Sequence, residues 1–184
     1  GRMTGEALAA VLASDGGDGV FAVVASSGTT NAGVVDDLAG ISAVCREHGI
    51  WLHVDGAYGG AALAAPSVAD RFVGIEHADS FVVDPHKWLF APFDCCALLY
   101  REPEHGANAH SQFASYLEAV DRSEWNPADF AVHLTRRARG LPFWFSLATY
   151  GTDRYREAIE IVLATTRAVV AKIRERPHLR LIME

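Results

Sequence analysis

The amine of Lys87 is the side chain of this sequence with the clearest capacity for chemistry. Only Lys87 and Lys172 are lysines among the 16 basic residues, and Lys87 lies in an apolar segment, between residues 81–83 and 88–90. Apolar surroundings favour a neutral amine, which can attack a carbonyl carbon and form a Schiff base, whereas arginine cannot. The alternative is an ordinary surface lysine at a turn.

Lys87 belongs to a set of polar residues that follow three predicted strands. The set comprises Thr30 after residues 20–25, Asp55 at the end of residues 50–55, and His86 with Lys87 after residues 80–83. Continuous apolar runs of this length are typical of strands covered on both faces in a parallel sheet. Ligands of open α/β sheets bind beyond the carboxyl ends of the strands, so these side chains are expected to meet at one edge.

The remaining segments predict an α/β fold with a mostly parallel sheet and one antiparallel strand. The expected helices are residues 4–13, 36–48, 61–75 with an interruption at Pro66, and 153–175. About ten residues separate the third strand from the apolar run at residues 95–100, and a parallel crossover needs a dozen or more, so this strand should be antiparallel. Residues 101–130 are expected to form a mobile loop region with at most short helices, and residues 179–183 to begin another strand.

Asp55 gives the amine of Lys87 a chemical context. A lysine Schiff base, together with a carboxylate that stays ionised beside a pyridinium nitrogen, is the arrangement that pyridoxal phosphate enzymes require. The carboxylate keeps the ring nitrogen protonated, so that the ring can accept the electrons released at the substrate Cα. Taken alone, Asp55 could also be a turn or helix-capping aspartate.

Three sequence motifs resemble one family of pyridoxal phosphate enzymes. They are SGTTNAG at residues 27–33, WLHVDGAYGG at residues 51–60 and ADSFVVDPHKW at residues 78–88, followed by FDCCA from residue 93. In order and spacing they resemble the group II pyridoxal-phosphate-dependent amino-acid decarboxylases, which include aromatic-L-amino-acid, histidine, tyrosine and glutamate decarboxylases. The similarity extends through residues 136–139 to Gly151. It implies the aspartate-aminotransferase-like (type I) fold, present here as a partial domain.

The resemblance implies roles for the residues that match these motifs. Lys87 would carry the cofactor as a Schiff base, and Asp55 would pair with its pyridine nitrogen. Ala57 would pack its methyl group against one face of the ring, and Thr30 would lie near the phenolic oxygen. His86 would lie near the phosphate or the Schiff base.

Two further positions follow from the resemblance. Tyr116 falls where the family has a catalytic tyrosine on a mobile loop, which closes over the substrate and often comes from the other subunit. Aromatic-type members commonly have asparagine where Asp84 stands, and that asparagine helps to hold the phosphate. An aspartate would repel the phosphate unless it turns away or pairs with a cation, so Asp84 is assigned no role.

The family also implies a domain organisation and an activity. Its members are much longer than this chain, and the part that precedes Gly1 in them supplies the phosphate-binding loop and the group stacked on the ring. Residues 1–143 are therefore expected to be the second half of the large domain, and residues 144–184 the start of the small domain, of a longer enzyme.

That enzyme is expected to be a homodimeric lyase with its active site at the subunit interface, which decarboxylates an L-amino acid to the amine and CO2. The 184 residues alone are expected to be inactive. The alternatives are an aldehyde-forming or other type I pyridoxal phosphate enzyme, or a catalytically silent oligomerisation fragment.

The composition indicates which binding partners and which cellular compartment to expect. The 184 residues carry a net charge of −7 and no basic stripe, which disfavours nucleic acid and anionic membranes. No apolar run approaches the roughly 18–20 residues of a membrane span. Three cysteines, odd in number and partly adjacent, favour a reducing cytoplasm over a disulfide framework.

Other residues keep more than one interpretation. His53 and Asp55 share one face of a strand, but no third ligand at a sensible spacing is evident, so no metal site is predicted. The arginines of residues 136–139 could be solvated or paired with nearby acids, or could contact an anion of the substrate or cofactor or a second subunit. Residues 143–145, which are aromatic, are expected in a core or an interface.

Overall fold

A four-stranded sheet in the order β1-β2-β3-β4 organises the computed structural model, which describes residues 1–14, 18–111 and 126–182. The strands are β1 Ala22–Ser26, β2 Trp51–Asp55, β3 Ser80–Val83 and β4 Ala97–Tyr100. β1, β2 and β3 are parallel, and β4 runs antiparallel to β3. This pairing confirms the expected sheet. β4 is antiparallel because the connection from β3 to β4 is too short for a parallel crossover.

Within the described residues, four α-helices accompany the sheet: α1 Gly5–Ser14, α2 Leu38–His48, α3 Pro103–His110 and α4 Gly140–Arg174. At the start of α1, Thr4 Oγ1 accepts a hydrogen bond from Ala7 N at 3.1 Å. Asp37 caps α2 in the same way, and Gly49 ends α2 in the left-handed conformation. These caps set the helix ends where the sequence places them. None of the helices in the described ranges is long and apolar enough to span a membrane.

The main core lies between one face of the sheet and helices α1 and α2. Leu52 and Val54 of β2 point into this core, with 1% and 0% of their surface exposed. The rest of the cluster consists of Leu8, Leu12, Val23, Ala25, Leu38, Ile41, Cys45, Ile50 and Ala78. Because side chains alternate along a strand, Trp51, His53 and Asp55 lie on the opposite face of the sheet.

A smaller core joins α4 to the segment that follows β2. Ala61, Ala65 and Ile159 are its buried members. Two hydrogen bonds reinforce it: Ser67 N donates to Glu160 Oε1 at 2.9 Å, and Arg167 Nη2 donates to Ser67 Oγ at 2.7 Å. Helix α4 is therefore fixed against the polypeptide that leaves the carboxyl end of β2.

The local structure departs from the sequence prediction in three places. The sequence predicts an α-helix over residues 61–75, but the region forms 3-10 helices at Gly59–Ala64, Pro66–Phe72 and Ile75–His77. The expected helix over residues 153–175 matches the second part of α4, but residues 140–150 add a helical part that the sequence does not predict, and the non-helical backbone of Gly151 (φ 75°, ψ 161°) separates the two. Residues 179–182 form no strand, since Leu179 N donates to Arg176 O at 3.0 Å in a turn.

The turns after β1 and β2 touch each other at two glycines. Gly59 N donates to Gly28 O at 3.1 Å, and a Cβ atom on Gly28 would lie only 2.6 Å from Gly59 Cα. Gly56 makes a similar approach to β3, because a Cβ there would lie 2.4 Å from the ring of Phe81. Glycine at these positions lets the turns stack directly on neighbouring backbone and strands.

We expect Gly28→Ala to lower the free energy of unfolding by about 2–5 kcal/mol, because the methyl group adds overpacking to a left-handed backbone. Gly33→Ala is the matched control. Gly33 also has a positive φ, but open space surrounds its Cβ position, so backbone strain alone should cost about 1–2 kcal/mol. Urea unfolding followed by circular dichroism measures both variants, and equal losses would contradict the close packing of the two turns.

Candidate functional site

The candidate site consists of three turns: the β1 turn (residues 27–34), the β2 turn (residues 55–60) and the β3 turn (residues 84–91). Backbone hydrogen bonds connect them: Ser27 N to Asp55 O at 2.7 Å, Gly56 N to Val82 O at 3.0 Å, and Asp84 N to Ala57 O at 3.2 Å. Parallel pairing therefore continues past the ends of the strands. The segments that carry Thr30, Asp55 and Lys87 meet at one edge of the sheet, where the sequence predicts them.

Asp55 ends β2 with an exposed side chain. Its Oδ1 accepts a hydrogen bond from Ala57 N at 3.0 Å, which fixes the carboxylate beside the first residues of the β2 turn. Since this bond uses a backbone donor, the orientation of the carboxylate does not depend on another side chain.

His53 lies two residues before Asp55 on the same face of β2. Its Nδ1 is 2.7 Å from Ser80 Oγ, which also accepts a hydrogen bond from Trp51 Nε1 at 3.0 Å. Burial lowers the pKa of His53, and the negative charge of Asp55 opposes this effect only in part. His53 is therefore neutral at pH 7. Within the described ranges, no three His, Cys, Asp or Glu side chains are grouped to hold a metal ion.

Lys87 lies in the β3 turn, next to a carboxylate. Its Nζ is 2.8 Å from Asp84 Oδ2, and the two side chains are 32% and 14% exposed. Burial alone would raise the pKa of Asp84, but hydrogen bonds from Lys87 and Cys96 and the charge of Lys87 outweigh that effect and lower the pKa. The sequence predicts apolar surroundings for this amine, whereas the structure places a fixed anion within hydrogen-bond distance of it.

His86 is held by the connection between β3 and β4. Its Nδ1 lies 2.6 Å from Cys95 O, and its ring meets the ring of Phe93 edge to face, with 5.1 Å between the centroids. The other ring nitrogen, Nε2, is 4.0 Å from Asp84 Oδ2. His86 therefore faces the carboxylate that binds Lys87.

Asp84 and Cys96 are the members of the site to which the sequence pattern assigns no role. Burial and a hydrogen bond to Asp84 raise the pKa of Cys96 to about 11, so its thiol stays protonated at neutral pH and donates to the carboxylate. The three-residue spacing of Asp84 and Lys87 across Pro85 is the signal that could have identified their pairing, because a turn brings such residues to one side.

Thr30 lies at the exposed tip of the β1 turn. This turn is closed by Thr29, whose Oγ1 accepts a hydrogen bond from Val34 N at 3.1 Å, and by Gly28 N, which donates to Val34 O at 2.9 Å. The structure brings the β1 turn against the β2 turn, while the side chain of Thr30 points to the surface. Tyr116 lies outside the described residues.

A cavity of about 850 Å³ adjoins the β3–β4 connection. His86 and Cys96 line one side of it, and Arg137 and Arg139 line the other. The two arginines bind Asp94, with Arg137 Nη2 2.5 Å and Arg139 Nε 2.9 Å from its carboxylate oxygens. The backbone amide of Asp94 and these guanidinium groups lower its pKa. Of the interpretations given above for the arginines of residues 136–139, the structure therefore shows pairing with a nearby acid, by Arg137 and Arg139.

Known proteins are similar to most of this chain. An aromatic-L-amino-acid decarboxylase of Bacillus atrophaeus is 35% identical over 143 residues, which cover 76% of this chain and 30% of that protein. An acidic amino acid decarboxylase of Xenopus tropicalis is 37% identical over 168 residues, which cover 89% of this chain and 33% of that protein. The chain thus spans about a third of the length of these curated relatives.

The fold agrees with these similarities. The crystal structure of Oryza sativa TDC with pyridoxal phosphate and tryptamine matches 100% of this chain and 38% of that chain, with a TM-score of 0.91 and 28% identity. Similar structures of this kind place the sheet in the type I fold, of which the chain is a part. The conserved domain of the pyridoxal-dependent decarboxylases matches residues 1–184, and the chain belongs to that family.

Proposed function

We propose that this chain forms the part of a pyridoxal-phosphate-dependent carboxy-lyase that binds the reactive end and the ring nitrogen of the cofactor. The complete enzyme would convert an L-amino acid to the amine and CO2. The observation that carries the proposal is the backbone connection between the β2 turn and the β3 turn, which places the Asp55 and Lys87 segments side by side. Membership of the decarboxylase family supports the reaction type.

The residues at this edge fit pyridoxal phosphate by their chemistry. The amine of Lys87 suits an aldehyde, and the carboxylate of Asp55, accessible and oriented by Ala57 N, suits a protonated ring nitrogen. At this edge an aldehyde carbon can therefore react with Lys87, and a cationic nitrogen can pair with Asp55.

When bound, pyridoxal phosphate would supply an aldehyde that condenses with amines and a ring that accepts the electron pair left at the substrate Cα as CO2 departs. Lys87 would bind the aldehyde carbon through Nζ, and Asp55 would hold a proton on the ring nitrogen. Ala57 would lie against one ring face and Thr30 near the phenolic oxygen. His86, which is turned toward Asp84, would act at the Lys87 end of the site.

We also propose the assembly and the compartment that the family resemblance implies. Trp144, Phe145 and Tyr150 of α4 are exposed aromatic side chains, and they support a homodimer because a second subunit would remove their apolar surface from water. The free cysteines in the described residues support a cytoplasmic location. The division into a large-domain part, residues 1–143, and a small-domain part, residues 144–184, stays a prediction.

The first test locates the cofactor. In the protein encoded by the full open reading frame that contains this chain, borohydride reduction after loading with pyridoxal phosphate should leave a pyridoxyl group on Lys87. Lys172 is the internal control, since its amine is exposed and paired with Glu175 on α4. Peptide mapping by mass spectrometry reads both sites, and a label on Lys172 without one on Lys87 would remove Lys87 from the mechanism.

The second test concerns Asp55. Asp55→Asn should reduce kcat at least tenfold, about 1.4 kcal/mol, because a neutral amide cannot hold the proton on the ring nitrogen. A charge-assisted hydrogen bond contributes about 1.5–3 kcal/mol. Attachment to Lys87 should persist. Asp70→Asn, on the exposed side of the 3-10 helix Pro66–Phe72, is the matched control and should turn over normally. Near-normal turnover of the Asp55→Asn enzyme would refute the role of Asp55.

The third test concerns Tyr116, for which we propose proton donation to the substrate Cα after CO2 has left. Tyr116→Phe keeps the ring and removes the phenolic proton, so amine output should fall. Molecular oxygen would then divert part of the turnover to aldehyde, ammonia and hydrogen peroxide. Amine, aldehyde and peroxide are measured together. Unchanged amine output without aldehyde would place Tyr116 outside the active site, and abundant aldehyde from the unsubstituted enzyme would favour the aldehyde-forming alternative.

A further inference from the structure

Both lysines of the chain bind a carboxylate three residues away, but in different surroundings. Lys172 Nζ lies 2.9 Å from Glu175 Oε2, and the side chains of this pair are 74% and 60% exposed. Lys87 Nζ lies 2.8 Å from Asp84 Oδ2, and those side chains are only 32% and 14% exposed. Water screens the first pair, so it contributes little, whereas the second pair is partly withdrawn from water and is held more strongly.

The groups around Asp84 favour its ionised form. Lys87 and Cys96 both donate hydrogen bonds to its carboxylate, and His86 Nε2 lies 4.0 Å away. These groups come from two elements, since His86 and Lys87 belong to the β3 turn and Cys96 lies next to the start of β4. The main chain adds a further constraint, because Lys87 N donates to Asp84 O at 2.9 Å. Asp84 is thus a fixed anion directed at the amine.

We propose that Asp84 is a positioning residue that competes with carbonyl ligands for Lys87. In the cofactor-free protein the amine rests in the ion pair, and Nζ must lose both its proton and its contact with Asp84 before it can attack a carbonyl carbon. The carboxylate therefore slows the reaction of Lys87 with any electrophile at neutral pH. The part of this inference that concerns pyridoxal phosphate rests on the proposed function; the part that concerns the amine does not.

The pairing also accounts for an aspartate at this position. A free carboxylate at residue 84 would repel a phosphate group, but the charge of this carboxylate is compensated locally by Lys87 Nζ, which lies 2.8 Å from Asp84 Oδ2. Asp84 then binds Lys87 and not the phosphate, so other groups must bind the phosphate.

Competitive labelling of the cofactor-free protein tests the inference. The protein encoded by the full open reading frame is treated with trace acetic anhydride, and acetylation of each lysine is quantified by mass spectrometry. At pH 8, Asp84→Asn should raise the labelling rate of Lys87 on the order of tenfold, the effect of removing one hydrogen bond to a charged group.

Two variants separate charge from structure. Asp84→Glu restores the carboxylate, so the labelling rate of Lys87 should return to within about twofold of the unsubstituted rate, because the anion again stabilises the charged amine. Glu175→Gln removes the exposed pair and should change the labelling of Lys172 by less than about twofold. If Asp84→Asn does not fold by circular dichroism, Asp84→Ser replaces it. Equal labelling with and without the charge at residue 84, or a rate increase in Asp84→Glu as large as in Asp84→Asn, overturns the inference.

Loading with pyridoxal phosphate completes the test. The rate at which a pyridoxyl group appears on Lys87 after borohydride quenching should rise in Asp84→Asn together with the acetylation rate. Faster acetylation without any pyridoxyl group on Lys87 supports the ion pair and contradicts the proposed function. A pyridoxyl group on Lys87 with unchanged acetylation and loading rates overturns the inference and leaves the proposed function standing.

Discussion

The site depends on backbone pairing that continues after the parallel strands have ended. Main-chain hydrogen bonds connect the β1, β2 and β3 turns, so the position of Asp55 relative to the β3 turn does not rest on side chains. This pairing requires close approach, and Cβ atoms at Gly28, Gly56 and Gly59 would lie 2.4–2.6 Å from neighbouring atoms. The site therefore requires glycine at these positions of the motifs, because any side chain there would push the turns apart. The glycines allow an exposed carboxylate to keep a fixed place.

The aspartates of the chain divide according to the donors that they bind. Asp36 is 6% exposed and accepts two backbone amides at 2.7 Å, which ties the start of α1 to the end of β1. Asp79 accepts a backbone amide of β2 at 2.7 Å. These carboxylates stabilise the fold, because an unpaired donor near the core would be costly. Asp55 and Asp84 lie instead at the edge, where the first binds a single amide and the second binds Lys87.

The sequence predicts those features that depend on local physics. β3 has the expected bounds, α2 ends at Gly49, and the reversal of β4 follows from the length of the connection. The 3-10 form of residues 59–72 escapes sequence prediction because it is set by packing of the chain on Phe81 and α4, not by propensity. An apolar pattern at residues 179–182 predicts a strand, but a strand needs a neighbour, and these residues pair with none in the described chain. The contact of Lys87 with Asp84 depends on side-chain rotamers, which spacing alone does not fix.

The two carboxylates at this edge make opposite contributions to its charge. Asp55 offers an exposed carboxylate whose hydrogen bond in the described residues comes from the backbone amide of Ala57. Asp84 and Lys87 together are neutral, and the edge gains a net negative charge when Lys87 turns to another partner. Cys96 can donate a hydrogen bond but no charge, and His86 Nε2 lies 4.0 Å from Asp84 Oδ2. His86 Nδ1 lies 2.6 Å from Cys95 O, which fixes the ring beside Asp84. His86 and Lys87 of the β3 turn thus both lie next to the carboxylate of Asp84, which precedes them in the chain and holds the lysine in place.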